Sequence, residues 1–423
     1  MSSSWNVRDA VSIWHPFTQA QTESPPLPIV RGEGVYLYGE DGRGYLDAIS
    51  SWWVNLHGHG HPYIAQAIFQ QAERLEHVLF AGFTHPQAIL FAERLLALLP
   101  KGYSRIFYSD NGSTAVEVAL KMAFQSKKGG KKLLCFEAGY HGDTFGAMSA
   151  AGKSHYNRPF WPYLFEVCAI PPPSAGREES SWAAFIQAME REEGKIAAFL
   201  FEPLVQGAGG MRLHSPEILG KMVAFCQERD ILTISDEVMT GFGRTGPLFA
   251  SSKLSLSPDL ICLSKGITGG FLPLGVTATK EALFDAFLSS DPADAFLHGH
   301  SYTANPICCA AANANLDLLL DAECSASRIA IEGAHRQFQD VWGDHPKLLR
   351  CDLLGTLLVL EYRVEDGSYY HPLKQQLIAL FRDRQILVRP LGNVLYLLPP
   401  YCITLEELRK IYAAIAFTLE EWP

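Results

Sequence analysis

Between about Asn111 and Thr279 the chain repeats one pattern: a short apolar run rich in β-branched residues, a polar or glycine-bearing break, then a helical stretch. The runs Arg105–Ser109, Lys132–Phe136, Ile196–Phe201, Ile231–Ser235, Leu260–Leu263 and Gly275–Ala278 predict strands. Helices are expected over Ser113–Gln125, opened by Asn111-Gly112-Ser113, and over Ser215–Glu228, where Ser215 can cap and Pro216 suits the first turn. This alternation predicts an α/β fold, a mostly parallel sheet with helices on its faces. Pro171-Pro-Pro-Ser-Ala-Gly176 reads as a surface connection within that unit, because strand and helix alternate again beyond it. At 423 residues the chain exceeds one small core. The expected division is a large domain over 56–309, a smaller α+β domain over 310–423, and a segment 1–55 that joins the small one.

The charge balance excludes several function classes. There are 45 acidic and 35 basic residues, a net charge of −10, and the only basic cluster is Lys127-Lys128 with Lys131-Lys132, so nucleic acid is not an expected partner. Nine cysteines, an odd number without any Cys-x-x-Cys, give neither a disulfide framework nor a zinc knuckle, and a reducing cytoplasm is expected. The start Met1-Ser-Ser-Ser-Trp has no basic stretch leading into an apolar core, and no apolar run approaches the roughly 18 residues that cross a bilayer, so no membrane association is expected. His57, His59 and His61 alternate with glycine and have no matched cysteine or carboxylate, so they read as a loop and no metal is expected.

Two strand ends carry the chemistry. Ile231-Leu-Thr-Ile-Ser leads into Asp236-Glu237, and Lys265 follows 29 residues after Asp236 at the end of Asp259-Leu-Ile-Cys-Leu-Ser. In an open parallel sheet the carboxyl ends of strands face the ligand crevice, so an acid and an amine delivered by two strands converge there. Pyridoxal phosphate needs both: a lysine amine to bond its aldehyde, and a carboxylate to keep its ring nitrogen protonated so that the ring accepts electrons. Phosphate needs backbone N–H donors at a helix start, and Gly112 and Ser113 supply them. Tyr140, in Tyr140-His141-Gly142-Asp143 after the next strand, can stack on a pyridine face. Gly241-Phe-Gly243-Arg-Thr-Gly246 matches a dinucleotide-binding pattern, but Pro247 follows at once and no helix is predicted to open there, so a nicotinamide cofactor is not expected.

Asp236-Glu-Val-Met-Thr-Gly-Phe-Gly-Arg-Thr-Gly246 together with Ser264-Lys265-Gly-Ile-Thr-Gly-Gly resembles the class III, fold-type I aminotransferases. Within that class His15-Pro-Phe17-Thr-Gln19, Ser50-Ser-Trp52-Trp53-Val and Tyr140-His-Gly-Asp-Thr144 resemble the branch that makes 7,8-diaminononanoate from 8-amino-7-oxononanoate in biotin synthesis. The resemblance implies pyridoxal 5'-phosphate bonded to Lys265, Asp236 at its ring nitrogen, Tyr140 on ring and substrate, and Gly112 and Ser113 on phosphate. It also implies Trp52 and Phe17 in the substrate pocket and Arg389 receiving a substrate carboxylate. Gly299, His300 and Ser301 are implied to serve the neighbouring subunit's site, hence a homodimer with composite sites. Phe17 and Gly299-His300-Ser301 resemble branch members that use lysine as amino donor, whereas Trp52-Trp53 resembles those that use S-adenosylmethionine, so both donors stay open. An ω-amino acid aminotransferase and a mutase without external donor are alternatives on the same fold, against which the paired tryptophans favour a long apolar substrate.

Overall fold

The computed structural model describes residues 5–127, 130–154, 156–365 and 367–422; the first four residues and Lys128 of the basic cluster lie outside the described residues. A seven-stranded sheet runs in the order Tyr103–Ser109, Gly275–Lys280, Leu260–Leu263, Leu232–Asp236, Ile196–Phe201, Lys132–Phe136 and Val167–Ile170. Every neighbouring pair is parallel except those made by Gly275–Lys280, which runs antiparallel to both its neighbours. The cause is chain length: only residues 264–274 separate it from the preceding strand, fewer than the dozen or so a parallel crossover needs. Val167–Ile170 is a strand that the sequence pattern missed, a four-residue piece at the edge of the sheet.

Both faces of the sheet are covered. Ala198, Leu200, Ile234 and Cys262 pack beneath the helix Gly112–Ser126 through Ala115, Val116 and Ala119. On the opposite face Phe199 and Phe201 meet Phe136, Phe185 and the helix Pro216–Gln227 through Leu219, Met222 and Val223. The alternation of residues 198 to 201 between faces is the two-residue period of a strand. Ser215 caps the latter helix, its hydroxyl accepting from the Ile218 N–H at 3.3 Å.

The two ends of the chain meet. Ile29–Glu33, Tyr36–Gly39 and Gly44–Asp47 form an antiparallel meander, and Ile386–Leu387 joins it in parallel with Leu387 opposite Asp47. Leu348–Leu354, Leu357–Tyr362 and Val394–Leu397 form a second antiparallel sheet. The helices Ala322–Trp342 and Leu405–Glu420 contribute Ile331, Phe338, Leu408 and Ile411 to a core shared with Leu46, Phe91 and Ile261. The helix Pro306–Leu319 lies on the helices Pro62–Arg74 and Pro86–Leu98. Among the described residues no helix is long and apolar enough to cross a membrane.

Phe199, in the middle strand of the parallel group, is fully buried with its ring 5.0 Å from that of Phe201 and 5.3 Å from that of Phe136. Phe199→Ala is expected to lower unfolding free energy by about 3–5 kcal/mol, read as a drop in the urea midpoint.

Candidate active site

Asp236 ends its strand as the register partner of Cys262, so Lys265, three residues after Cys262 and just past the end of the neighbouring strand at Leu263, emerges at the same sheet edge. The helix Gly112–Ser126 begins above that edge, after the strand Tyr103–Ser109 has returned to it. Between them lies a cavity of about 430 Å³, lined by Lys265, Asp236, Tyr140, Gly112 and Ser113, and also by His141, Glu202, Trp53 and Thr240. Five residues expected from sequence thus converge. Gly275 lets the edge close up, since a Cβ there would lie 2.3 Å from the Asn111 carbonyl oxygen.

The cavity holds a buried charge cluster. One carboxylate oxygen of Asp236 accepts from Nδ1 of His141 at 2.7 Å, the other from the Val238 N–H at 3.0 Å. Burial works to lower the His141 pKa, but the hydrogen bond and charge of Asp236, aided by Glu202, raise it overall. Glu202 accepts from the N–H groups of Tyr140 at 3.1 Å and Gly207 at 2.8 Å, and burial pushes its carboxyl up to about 7. The Lys265 amine lies 4.3 Å from the Trp53 ring centroid; burial pulls it down to about 8 against the opposing charges of Asp236 and Glu202. Glu237, next to Asp236, points to the other side of the strand and accepts from the Ser251 N–H at 2.9 Å, so the two acids of the pair do different work.

The depressed lysine pKa has a stability consequence. Below about pH 8 both the folded and unfolded states hold the Lys265 proton and the burial penalty is fully present. Between there and the unfolded lysine pKa the unfolded chain binds more protons, so stability rises with pH. With cofactor removed, the stability advantage of Lys265→Met over the unsubstituted protein is expected to shrink by on the order of 3 kcal/mol across that window, measured by urea unfolding at a series of pH values.

The helix start is arranged for an anion. Asn111 and Thr114 form a reciprocal capping box, in which the Asn111 side chain accepts from the Thr114 N–H at 3.0 Å. The first N–H groups of a helix have no partner within it, and those of Gly112 and Ser113 stand at the cavity. Gly142 packs so closely here that a Cβ would fall 2.1 Å from Ser113 Oγ, and its φ of +122° suits glycine alone. Thr240 Oγ1 lines the same cavity, buried and without a partner among the described residues. A phosphorylated pyridine aldehyde fits this set of groups: an amine, a carboxylate bonded to a histidine, a helix N-terminus with a serine, and a spare hydroxyl.

The cavity mouth is aromatic. Tyr156 lies 6.1 Å from Tyr140 and 6.5 Å from Phe17, Phe17 stands edge-on to Trp52 at 5.7 Å, and the Arg389 guanidinium covers the Trp52 ring at 4.4 Å. Phe17, Trp52 and Arg389 therefore stand together outside the inner lining. Trp52 and Trp53 reach their places through an unusual backbone: Ser50, Ser51, Trp52 and Trp53 have φ of 52°, 45°, 73° and 76°, a left-handed turn of four non-glycine residues. Such conformations cost roughly 1–2 kcal/mol per residue, so the surroundings must hold the turn.

Other expected residues lie elsewhere. Gly299, His300 and Ser301 do not line this chain's own cavity; their loop closes on itself, with the His300 N–H donating to Thr303 Oγ1 at 3.1 Å. No helix opens at Gly246; Arg244, between the glycines, is buried and donates to the carbonyls of Pro399 at 2.9 Å and Asn55 at 2.9 Å. His57 bonds Asn315 at 3.0 Å and His59 bonds Asp47 at 3.0 Å; among the described residues no group of three or more potential metal ligands gathers.

Sequence reasoning missed His141, Glu202 and Trp53. Glu202 carried a usable signal, since it follows the strand Ile196–Phe201 directly, as Asp236 ends its own. His141 carried none, because its partner lies 95 residues away.

Comparison with known proteins agrees with this geometry. The family model described as aminotransferase class-III matches residues 17–419. A relative from Synechococcus elongatus named adenosylmethionine-8-amino-7-oxononanoate aminotransferase is 50% identical over 97% of this chain and 98% of its own length. One of the same name from Helicobacter pylori is 37% identical over 98% of this chain and 97% of its own. The crystal structure of the enzyme of that name from Methanocaldococcus jannaschii superposes with a TM-score of 0.91 at 33% identity, covering 97% of this chain and 98% of that one. An omega transaminase from Pseudomonas jessenii, solved in complex with PMP, gives 0.92 at 26% identity over 99% of this chain and 98% of that one. With the amine, the paired carboxylate and the phosphate-ready helix start converging at one sheet edge, this chain belongs to the class-III aminotransferases, fold-type I enzymes that work through pyridoxal phosphate.

Proposed function

We propose that this aminotransferase converts 8-amino-7-oxononanoate to 7,8-diaminononanoate in biotin synthesis, with S-adenosylmethionine as the amino donor and lysine as the competing candidate. The observation that carries the reading is Arg389 stacked on Trp52 at the far side of an aromatic mouth built from Phe17, Tyr156 and Tyr140. A guanidinium beyond an apolar passage suits a substrate with a long methylene chain and a terminal carboxylate. The names of the relatives from Synechococcus and Helicobacter support the same substrate.

When bound, pyridoxal phosphate supplies an aldehyde that takes up an amino group and a protonated ring that draws electrons from the adjoining carbon. Gly112 and Ser113 hold its phosphate and Tyr140 its ring face. Asp236, its charge sustained by His141, keeps a proton at the ring nitrogen. Lys265 would hold the cofactor through Nζ, and the same amine, when free, would take the proton from the substrate carbon that bears nitrogen. A depressed pKa suits this role, because it raises the fraction of neutral amine near neutral pH. Phe17 and Trp52 line the passage. The keto substrate then occupies the site the donor has left, and the proton moves in the reverse direction, an alternation of two half-reactions.

Gly299, His300 and Ser301 serve the site of a second copy, making a homodimer with shared sites. Support comes from an exposed apolar surface near that loop and near the N-terminal segment, with Leu297 78%, Tyr302 66%, Phe83 60% and Trp14 95% accessible in the single chain. The cytoplasm is the expected compartment, supported by nine cysteines that are all free.

The first test is the visible spectrum of the holoenzyme with each donor in turn. Loss of the lysine-bound cofactor band with S-adenosylmethionine, and its return on adding 8-amino-7-oxononanoate, is expected; discharge by lysine alone reassigns the donor. A band that neither donor discharges would move the reading to an ω-amino acid aminotransferase. Lys265→Ala is expected to abolish both band and turnover, and Asp236→Asn to lower kcat by about 10²-fold or more. Arg389→Ala should raise KM for the keto acid by about tenfold with kcat nearly kept, and an unchanged KM removes its carboxylate role.

A further inference from the structure

We propose that Asp47, which does not touch the cavity, is a positioning residue for substrate selectivity: it holds the left-handed turn Ser50–Trp53 and thereby sets Trp52 against Arg389. The proposal deepens the reading of the aromatic mouth given above and rests on it. Asp47 is 1% exposed, and its carboxylate takes four hydrogen bonds. Oδ1 accepts from the Ile49 N–H at 3.1 Å; Oδ2 accepts from the Ser51 N–H at 2.7 Å, from Ser51 Oγ at 3.0 Å and from His59 Nε2 at 3.0 Å. Ser51, the most strongly bonded residue of this set, has φ 45° and ψ 49°. A carboxylate is acceptor-only, which is what four converging donors require.

Register ties the two halves of the mouth to the same residue. Asp47 ends its strand directly opposite Leu387, and the Ala48 N–H donates to the Leu387 carbonyl at 3.2 Å. Arg389 comes two residues after Leu387 and Trp52 five residues after Asp47, and their side chains meet again at 4.4 Å. The turn thus spans a closed path from Asp47 through Trp52 and Arg389 back to Leu387.

The two tryptophans depend on Asp47 unequally. Trp53 has its own anchors: Nε1 donates to the Tyr396 hydroxyl at 3.0 Å and its carbonyl accepts from Arg244 at 3.2 Å. Among the described residues, the contacts of the Trp52 ring are with Phe17 and Arg389. Loss of the Asp47 carboxylate therefore releases the mouth while leaving the wall beneath Lys265 in place, which predicts an effect on KM rather than kcat.

The test compares holoenzyme variants with 8-amino-7-oxononanoate. Asp47→Asn places an N–H where a donor already points, and is expected to raise KM about tenfold with kcat within about twofold. Ser51→Val leaves Asp47 intact but puts a β-branched residue at a left-handed position, and should do the same. Asp47→Asn combined with Ser51→Gly is expected to recover most of the loss, because glycine takes the left-handed conformation without help. The near-ultraviolet circular dichroism of the tryptophans should fall in Asp47→Asn and return in the double variant, a readout that needs no substrate. An unchanged KM in Asp47→Asn, or a joint fall of kcat and cofactor binding that Ser51→Gly does not repair, overturns the proposal. If the unsubstituted enzyme does not accept 8-amino-7-oxononanoate, the substrate reading fails, and the dichroism of the same variants decides the role of Asp47.

Discussion

Keeping the Asp236 carboxylate charged inside the protein is the constraint on which the rest of the site depends. An unpaired buried carboxylate takes up a proton instead, because desolvation costs several kcal/mol. Here His141 and the Val238 N–H offset that cost, while burial raises Glu202 and the charges of Asp236 and Glu202 keep Lys265 closer to charged than burial alone allows. All four groups sit at carboxyl ends of neighbouring strands or on the loops that leave them. A parallel sheet provides such a place because its strands run out together on one edge, and the crossover helices leave that edge uncovered.

The opposite wall has a different origin. It is made by the meander near the N-terminus and the short strand at Ile386–Leu387, joined through the Asp47–Leu387 register. Strained backbone occurs there, in four consecutive left-handed residues, and also at Lys265, whose φ is 46°. Both strained places are locked by hydrogen bonds from residues distant in sequence: Ser50 donates to the Leu398 carbonyl at 2.7 Å, and Asn315 donates to the carbonyls of Gly266 and Ile267 just after Lys265. The cavity is thus a seam between a regular sheet that delivers charges and an irregular wall that delivers aromatic rings.

Much of this was legible along the chain, unevenly. Asp236 and Lys265 were readable because each closes an apolar run, and the end of a run is a position that a one-dimensional pattern defines. Gly112 and Ser113 were readable because a helix start has its own local signature. The same strand-end rule reached Glu202 but was not applied to it, since the acid stands alone before Pro203 and lacks the motif around Asp236. Val167–Ile170 escaped because edge strands of four residues carry little periodicity.

The alternation of strands and helices, and the places of Asp236 and Lys265 at strand ends and of Gly112 and Ser113 at a helix start, were determined by the sequence alone, because each follows from local periodicity or from residues a few positions apart. Only the tertiary structure decided that His141 bonds Asp236, that Trp53 rather than Trp52 underlies Lys265, that Arg389 lies on Trp52, and that Asp47 holds the turn between them. Those contacts join residues from 95 to more than 300 positions apart, or depend on a left-handed backbone that no propensity favours. Such geometry exists only once the two sheets have packed and their hydrogen bonds outweigh the strain.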